Sequence, residues 1–566
     1  MRLNRGDFSS THNYTRTTRT ASDDYTHTTA HHAETADHYT PTDIDSGAAR
    51  AAEFPDIRKE ISEIGPLALV GLFALSYFFA AIVIGIRAPL WMDEVMADWM
   101  SQLSPRVMWL ALNHGAMSSP PTYFLMLKMV RGVFGSSHVV LRLPSVFGGF
   151  VTGLAAYMLM RRRFSIWIAG LALALCLGCG LFTYATQVRE YTLVTACFAL
   201  AVLVWDTNFG DRFSPWRFLL IALFLALCGA LHFYGVLLIV VFTGMELLWL
   251  VARQKIRKDI WGAITLAGAL FLLWLPLIHN ITKIIGKEAS APGYFAPPTF
   301  GRLLAAYVDL ALGERGWALL CLLVGLVLLA SFADHLKSER WRMPERNGFA
   351  GDRRAFGGDL NFTIILAATT AIPVVVFLFA KITHGTFNGR YAAAACFGFA
   401  MLFAFFVSRL RHTQFIACAL LLGSILLMAD APRRLPVTDR YEMNLMAETH
   451  DAAPIVVGEG LAFIELQERT SPELKARLVY LKAPPDEVNP DPTNEDAVNH
   501  WSEFRPDLKV FNAEEFVQQT PHFYLLHSDA TTDVITPWLM RNMSLRPLWE
   551  RGGLWFFEGN AGNPTR

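Results

Sequence analysis

Charge is what this sequence has least of. Only 17% of its 566 residues are Asp, Glu, Lys or Arg, and 49 acids cancel 49 bases; soluble domains carry about 25% charge. With no basic field to attract a polyanion, nucleic acid is excluded as a partner class. Cysteine is also sparse. The seven (Cys176, Cys179, Cys197, Cys228, Cys321, Cys396, Cys418) all fall in apolar segments. The polar C-terminal part has none and therefore no internal disulfide. Cys176 and Cys179 form a C-x-x-C, but it lies inside the apolar run Leu171–Phe182 and reads as small packing residues rather than a redox or metal pair. No tight His/Cys/Asp spacing is present, which argues against a structural zinc. No early apolar core precedes a small-residue cleavage site, so the N-terminal segment does not read as a secretory signal.

What the chain does have is long apolar runs: 53% of residues are hydrophobic and 13% aromatic. A helix crossing a bilayer needs about 20 apolar residues, and Gly65–Ile86 is such a run without a charge. The pattern predicts a polytopic α-helical membrane protein with about eleven spans: 65–86, 139–160, 164–183, 191–205, 217–231, 234–251, 260–278, 316–333, 361–380, 391–408 and 414–429. Residues 1–60, rich in Thr, His and Asp, read as a disordered cytoplasmic tail, with His31, His32 and His38 solvated rather than metal-bound. Residues 61–430 form the transmembrane domain. Lys and Arg concentrate in 161–163, 253–258, 340–354 and 409–411, and the charge rule places these loops in the cytoplasm of a plasma-membrane protein. The first external loop, 87–138, then lies outside, with Val107–Leu112 and Tyr123–Phe134 as two short surface helices separated by Pro120–Pro121. Residues 431–566 also lie outside. Pro454–Gly458, Arg477–Leu481 and His522–His527 read as strands and Ala513–Gln519 as a helix, giving a small extracytoplasmic α/β domain. Its acids Glu459, Glu465 and Asp529 read as surface residues.

Chemistry-bearing residues recur at the outer span ends. Trp91-Met92-Asp93-Glu94 follows the first span, and two carboxylates at a membrane exit are costly unless solvated or used. Gln187-x-Arg189-Glu190-Tyr191 offers a planar cation suited to phosphate oxygens. His232-Phe233-Tyr234 and Asn388-Gly389-Arg390-Tyr391 close the set, with Lys381 and His384 nearby. The bland readings are a wet loop, interfacial snorkelling and an aromatic belt. One acid and several cations at a single interface suit a lipid-phosphate substrate better. The acid pair could also hold a magnesium or manganese ion through water; no cofactor is firmly implied.

The order of these motifs resembles the C-type (GT-C) membrane glycosyltransferases. W-x-D-E is followed by S-P-P-T-Y-F at Ser119–Phe124, L-R-L-P-S at Leu141–Ser145, R-R-R-F, Q-x-R-E-Y, H-F-Y and G-R-Y. The likeness is to the protein O-mannosyltransferase and aminoarabinose-transferase type, with the RgtA/B/C/D-like group among them. It spans about 65–430 and is densest over 89–240. It implies transfer of a sugar from a polyprenyl-phosphate donor to a hydroxyl on an envelope glycan, lipid or protein, with inversion. Asp93 would be the general base with Glu94 beside it. Arg189, Arg390 and Lys381 would face the donor phosphate, and His114, Tyr123, Tyr191, His232, Tyr234 and Tyr391 would line the pocket. The family places His directly before Pro-Pro; here that residue is Ser119, and the nearest histidine is His114. A lipid-linked saccharide transporter or a non-catalytic assembly protein are the rival classes. No internal repeat of the transporter kind is visible, and a scaffold would tolerate loss of Asp93.

The reading commits residues 93 and 189 to one membrane face. Single cysteines introduced at each should react with the same impermeant thiol reagent from the same side of sealed vesicles; labelling from opposite sides would refute it.

Overall fold

The computed structural model describes residues 57–207, 213–288, 296–340, 359–434, 449, 451–484, 487, 493–528, 533–551 and 553–560. The expectations for the N-terminal tail, the basic stretch 341–358 and Asp529 lie outside these.

Apolar length decides the helical part. The chain runs through α1 (Ile57–Arg87), α2 (Met92–Gln102), α3 (Pro105–Asn113), α4 (Pro121–Phe134), α5 (His138–Arg161), α6 (Ile166–Gly178), α7 (Gly180–Ala185), α8 (Tyr191–Trp205) and α9 (Pro215–Leu231). It continues through α10 (Val236–Arg253), α11 (Lys258–Phe271), α12 (Leu275–Glu288), α13 (Phe300–Ala311), α14 (Gly313–Arg340), α15 (Leu360–Thr370), α16 (Ile372–Thr383), α17 (Ala395–Ser408) and α18 (Thr413–Asp430). Among the described residues five segments are long and apolar enough to cross a membrane: Ile64–Arg87, His138–Arg161, Phe233–Arg253, Lys258–Ile284 and Thr413–Arg433. Two pairs, α13 with α14 and α15 with α16, bend by 70° and 44° and raise the number to seven if each is one span. The protein is thus a multi-pass membrane protein, but the count of eleven straight spans is not reproduced. Several runs are short or broken: the run read as 164–183 is interrupted at Cys179, between α6 and α7.

Residues 87–138 hold three helices rather than two. α3 and α4 correspond to the expected pair. α2 is the additional helix; Asp93 and Glu94 in its first turn complement the helix N-terminus. Val95, Met96, Trp99 and Met100 give it a buried face. α5 and α8 pack closely because Gly148 has no side chain: a Cβ there would lie 2.8 Å from the Leu193 nitrogen.

Among the described residues, Arg162, Arg163, Arg217 and Arg257 each pair with an acid near the ends of their helices. Asp206 accepts from Arg162 at 2.8 Å and Arg163 at 2.5 Å, and Arg163 also holds Asp359. Next to Asp206, the Trp205 indole donates to Glu246 at 2.9 Å, and Glu246 pairs with Arg257. Arg217 and Asp259 pair at 2.5 Å.

The C-terminal part folds as β1 (Ile455–Val457), α19 (Gly460–Arg469), α20 (Pro472–Lys475), β2 (Leu478–Lys482), α21 (Thr493–Phe504), β3 (Val510–Asn512), α22 (Ala513–Gln519), β4 (His522–Ser528), α23 (Ile535–Asn542), β5 (Ser544–Arg551) and β6 (Leu554–Asn560). The sheet order is β3-β2-β1-β4-β6-β5; the first four strands are parallel and β6 and β5 add antiparallel. Val456, Leu481, Phe523, Leu525 and Trp538 fill one face of it. The other face meets the membrane domain through α19, which packs on α2. Trp99 and Trp501, both fully buried, meet edge to face at 5.3 Å between centroids, and the Arg505 guanidinium lies 4.6 Å above the Trp99 ring. Glu465 is no surface acid: it accepts the Met92 N–H at 3.1 Å.

Truncating a fully buried tryptophan removes its packing and leaves a cavity, at a cost of about 3–5 kcal/mol. Trp501→Ala should therefore lower the thermal midpoint and make the C-terminal part the first region cut in limited proteolysis.

Candidate active site

Successive residues on a helix point about 100° apart, so Asp93 and Glu94 at the start of α2 diverge. Glu94 turns inward. Its Oε2 accepts the Trp91 N–H at 3.1 Å and Arg142 Nη2 at 2.9 Å, and its Oε1 accepts the Val188 N–H at 2.6 Å and Arg142 Nε at 3.0 Å. Arg142 completes its fork on the carbonyls of Ala88 and Pro89, at 2.9 and 3.0 Å. Both side chains are at most 3% exposed. A carboxylate this fully engaged is a fastener, and the catalytic place expected for Glu94 is not where its oxygens stand.

Asp93 turns the other way. Its Oδ2 takes Arg189 Nη1 at 2.8 Å and Arg390 Nη1 at 3.1 Å. Arg189 comes from the 186–190 connection between α7 and α8. Ser145 fixes it by donating to the Arg189 carbonyl at 2.6 Å, and the Ser145 carbonyl takes the Thr192 hydroxyl at 2.8 Å. Arg390 sits in the 3₁₀ turn Gly389–Ala392, started by Asn388, whose side chain accepts the Arg390 N–H at 3.1 Å. Arg189 Nη2 donates to the Tyr191 hydroxyl at 2.7 Å. The Nε of each arginine is buried with no hydrogen-bond partner among the described residues. A buried donor left without an acceptor is costly, and two of them around one carboxylate describe a place for an anion with several oxygens.

Glu190 is the second acid. Ser119 donates to its Oε1 at 2.8 Å, and His232 Nε2 lies 3.7 Å away. Four rings wall the space beside the arginines. Tyr234 stacks on Tyr391 with centroids 4.2 Å apart, and His232 lies 5.3 Å from Tyr191 and 5.5 Å from Tyr391. These rings and Arg390 line a small cavity of about 20 Å³. The turn that delivers His232 and Tyr234 needs Gly235, where a Cβ would come within 1.9 Å of the Cys228 carbonyl oxygen.

Of the residues singled out in the sequence, the structure brings together Asp93, Arg189, Tyr191, His232, Tyr234, Arg390 and Tyr391. Tyr123 is buried on α4, its ring against Phe124 and its hydroxyl within reach of Ser145, Glu190 and Arg189, at the edge of the same site. Lys381 is exposed on α16, and no described contact joins it to Asp93. His114 is elsewhere: it is half-exposed, bonded to Glu503 at 3.0 Å, with its ring against Phe504 of the C-terminal part. Sequence reasoning missed Arg142, although a charge inside an apolar run is the signal that flags such a residue. Two guanidinium groups hold Asp93 and a third holds Glu94, and among the described residues no group of three or more His, Cys, Asp or Glu is placed to hold a metal ion.

No family model matches the sequence, and no curated protein is similar to it at the sequence level. Among solved structures the chain is similar to ArnT from Cupriavidus metallidurans bound to undecaprenyl phosphate. The TM-score is 0.54 at 10% identity, over 88% of this chain and 99% of that one. Apo ArnT from the same organism gives a TM-score of 0.53 at 10% identity, over 88% and 98%. The archaeal oligosaccharyltransferase AglB from Archaeoglobus fulgidus, with a TM-score of 0.38 at 11% identity over 88% and 74%, is too distant to carry an argument. The chain thus shares the fold of ArnT.

Removing one member of a buried ion pair strands the other, at about 3–5 kcal/mol. Glu94→Ala should therefore cut the yield of folded protein and its thermal midpoint sharply, while Asp93→Asn, which loses the charge but keeps an oxygen for the arginines, should lower both less. Fluorescence-detected size exclusion after heating checks both.

Proposed function

We propose that this chain is a glycosyltransferase that moves a sugar from a polyprenyl-phosphate carrier to a hydroxyl acceptor of the cell envelope, at the outer face of the plasma membrane and with inversion at the sugar. The observation that carries this reading is the sharing of one Asp93 oxygen by Arg189 and Arg390, each with a buried Nε that makes no hydrogen bond among the described residues, the Glu190 carboxylate standing 3.9 Å from the Arg189 Nε. ArnT, whose fold this chain shares, has been crystallised with undecaprenyl phosphate bound. A second cavity supports the same reading. It has a volume of about 170 Å³ between α6, α13, α14 and α17, and its walls are apolar, among them Leu175, Leu310, Leu319, Phe399 and Phe403, as a hydrocarbon chain requires.

The chemistry follows from the exchange of partners. The donor phosphate takes the guanidinium groups over from Asp93, and the carboxylate is released to act as a base. An acceptor hydroxyl attacks the anomeric carbon from the side opposite the phosphate. As that C–O bond forms, Asp93 takes the hydroxyl proton. The bond between the anomeric carbon and the phosphate oxygen breaks with its electron pair staying on the phosphate, where Arg189 and Arg390 stabilise the added charge. Phosphate leaves without prior protonation, so one carboxylate suffices where a glycosidase needs two. Tyr191, His232, Tyr234 and Tyr391 form an aromatic wall against which the sugar can lie.

A positioned base contributes about 10²–10⁴ in rate. Asp93→Asn should lose turnover on that scale while inserting normally. Mass spectrometry of envelope glycolipids and glycans from cells with the native chain, the variant and no chain should show one sugar missing in the last two; native levels with Asp93→Asn would remove Asp93 from the reaction.

A further inference from the structure

The first turn of a helix leaves N–H groups that must be satisfied from outside its own ladder. At α2, Glu94 satisfies the Trp91 N–H, but the Met92 N–H is satisfied from another part of the chain. Glu465 Oε1 on α19 accepts it at 3.1 Å across 373 residues of sequence. Arg469, one turn further along α19, grips Glu465 Oε2 at 2.8 Å and places its Nε and Nη2 at 3.4 and 3.3 Å from the Leu90 carbonyl. Two successive turns of the C-terminal part therefore hold peptide groups on either side of Trp91, directly before Asp93. Burial lifts the Glu465 carboxyl above the usual carboxylate range, against the pull of Arg469 and of the Met92 N–H, which marks the contact as desolvated. The tryptophan pair Trp99–Trp501 already docks the two parts by apolar packing. Directional bonds to residues 90 and 92 add something packing does not supply: they fix the place and rotation of the first turn of α2.

We infer that Glu465 and Arg469 are positioning residues, through which the C-terminal domain sets the Asp93 carboxylate between Arg189 and Arg390, so that the transfer site is complete only when that domain is docked. This rests on the transferase reading of the Asp93 site. Reactive geometry is demanding, and a shift of about 1 Å can cost on the order of 10² in rate.

The test uses the full chain in lipid nanodiscs and in cells, as native, Glu465→Ala and Glu465→Gln. Hydrogen exchange of the peptide covering 88–96 should quicken in Glu465→Ala and stay close to native in Glu465→Gln, which keeps an oxygen for the Met92 N–H. Envelope product should fall about tenfold or more in Glu465→Ala and recover to within about threefold of native in Glu465→Gln. Affinity for undecaprenyl phosphate, the probe for the arginine site, should not fall, because Arg189 and Arg390 lie on other segments and a displaced Asp93 competes less for them. Unchanged exchange in Glu465→Ala, or native product despite faster exchange, overturns the inference. Equal loss of product and of undecaprenyl phosphate affinity also overturns it, since that pattern marks general damage. A native chain that yields no product overturns the transferase reading instead.

Discussion

The ion pair between Glu94 and Arg142 is the constraint on which the rest of the site depends. A buried pair adds little net stability, because desolvating two charges offsets most of their attraction. Its value lies in direction. The four bonds to Glu94 and the two carbonyls under Arg142 tie together the end of α1, the start of α2, the body of α5 and the connection before α8. Once these are fixed, the neighbouring Asp93 has one direction left, toward the arginines. The adjacent acids of one motif thus divide the work, one as anchor and one as reactive group, and the helical angle between them makes the division possible.

Two sets of arginines are treated differently. Arg162, Arg163, Arg217 and Arg257 each face a carboxylate. Around Asp93, the Nε of Arg189 and of Arg390 stay buried without a hydrogen bond among the described residues. Folding tends to saturate its polar groups. Incomplete saturation of two guanidinium groups around one carboxylate marks a place where another molecule can supply the missing acceptor.

Much of this was legible in the sequence, for a physical reason. Charges bordering long apolar runs are expensive, so Asp93, Arg189 and Arg390 stood out, and the aromatic residues beside them marked the same level. Level along the bundle is readable in a sequence, whereas position around it is not. Lys381 and His114 sit near the right ends of their segments yet face other surroundings. Arg142 carried the same signal, a charge inside an apolar run, but its holding role depends on Glu94 48 residues away, which no local periodicity shows. In the C-terminal part, β1, β2 and β4 announced themselves as short apolar runs of the kind buried parallel strands need. β5 and β6 did not, because Pro547 and the register shift between Pro547 and Trp549 break the alternation. The dependence of α2 on α19 could not be read at all, since peptide groups carry no sequence signature.

Glu246 carries a consequence for how the protein is made. Its side chain is fully buried in α10, held by Trp205 and by Arg257. An acid in a span costs up to about 3 kcal/mol when it meets lipid alone. Trp205 has already emerged from the ribosome when α10 does, and Arg257 follows only eleven residues after Glu246. The neutralising partner thus arrives before α11 is complete, so α10 can pass from the translocon into the bilayer as one half of a charge-balanced hairpin. The order of residues along the chain serves biogenesis as much as the finished molecule.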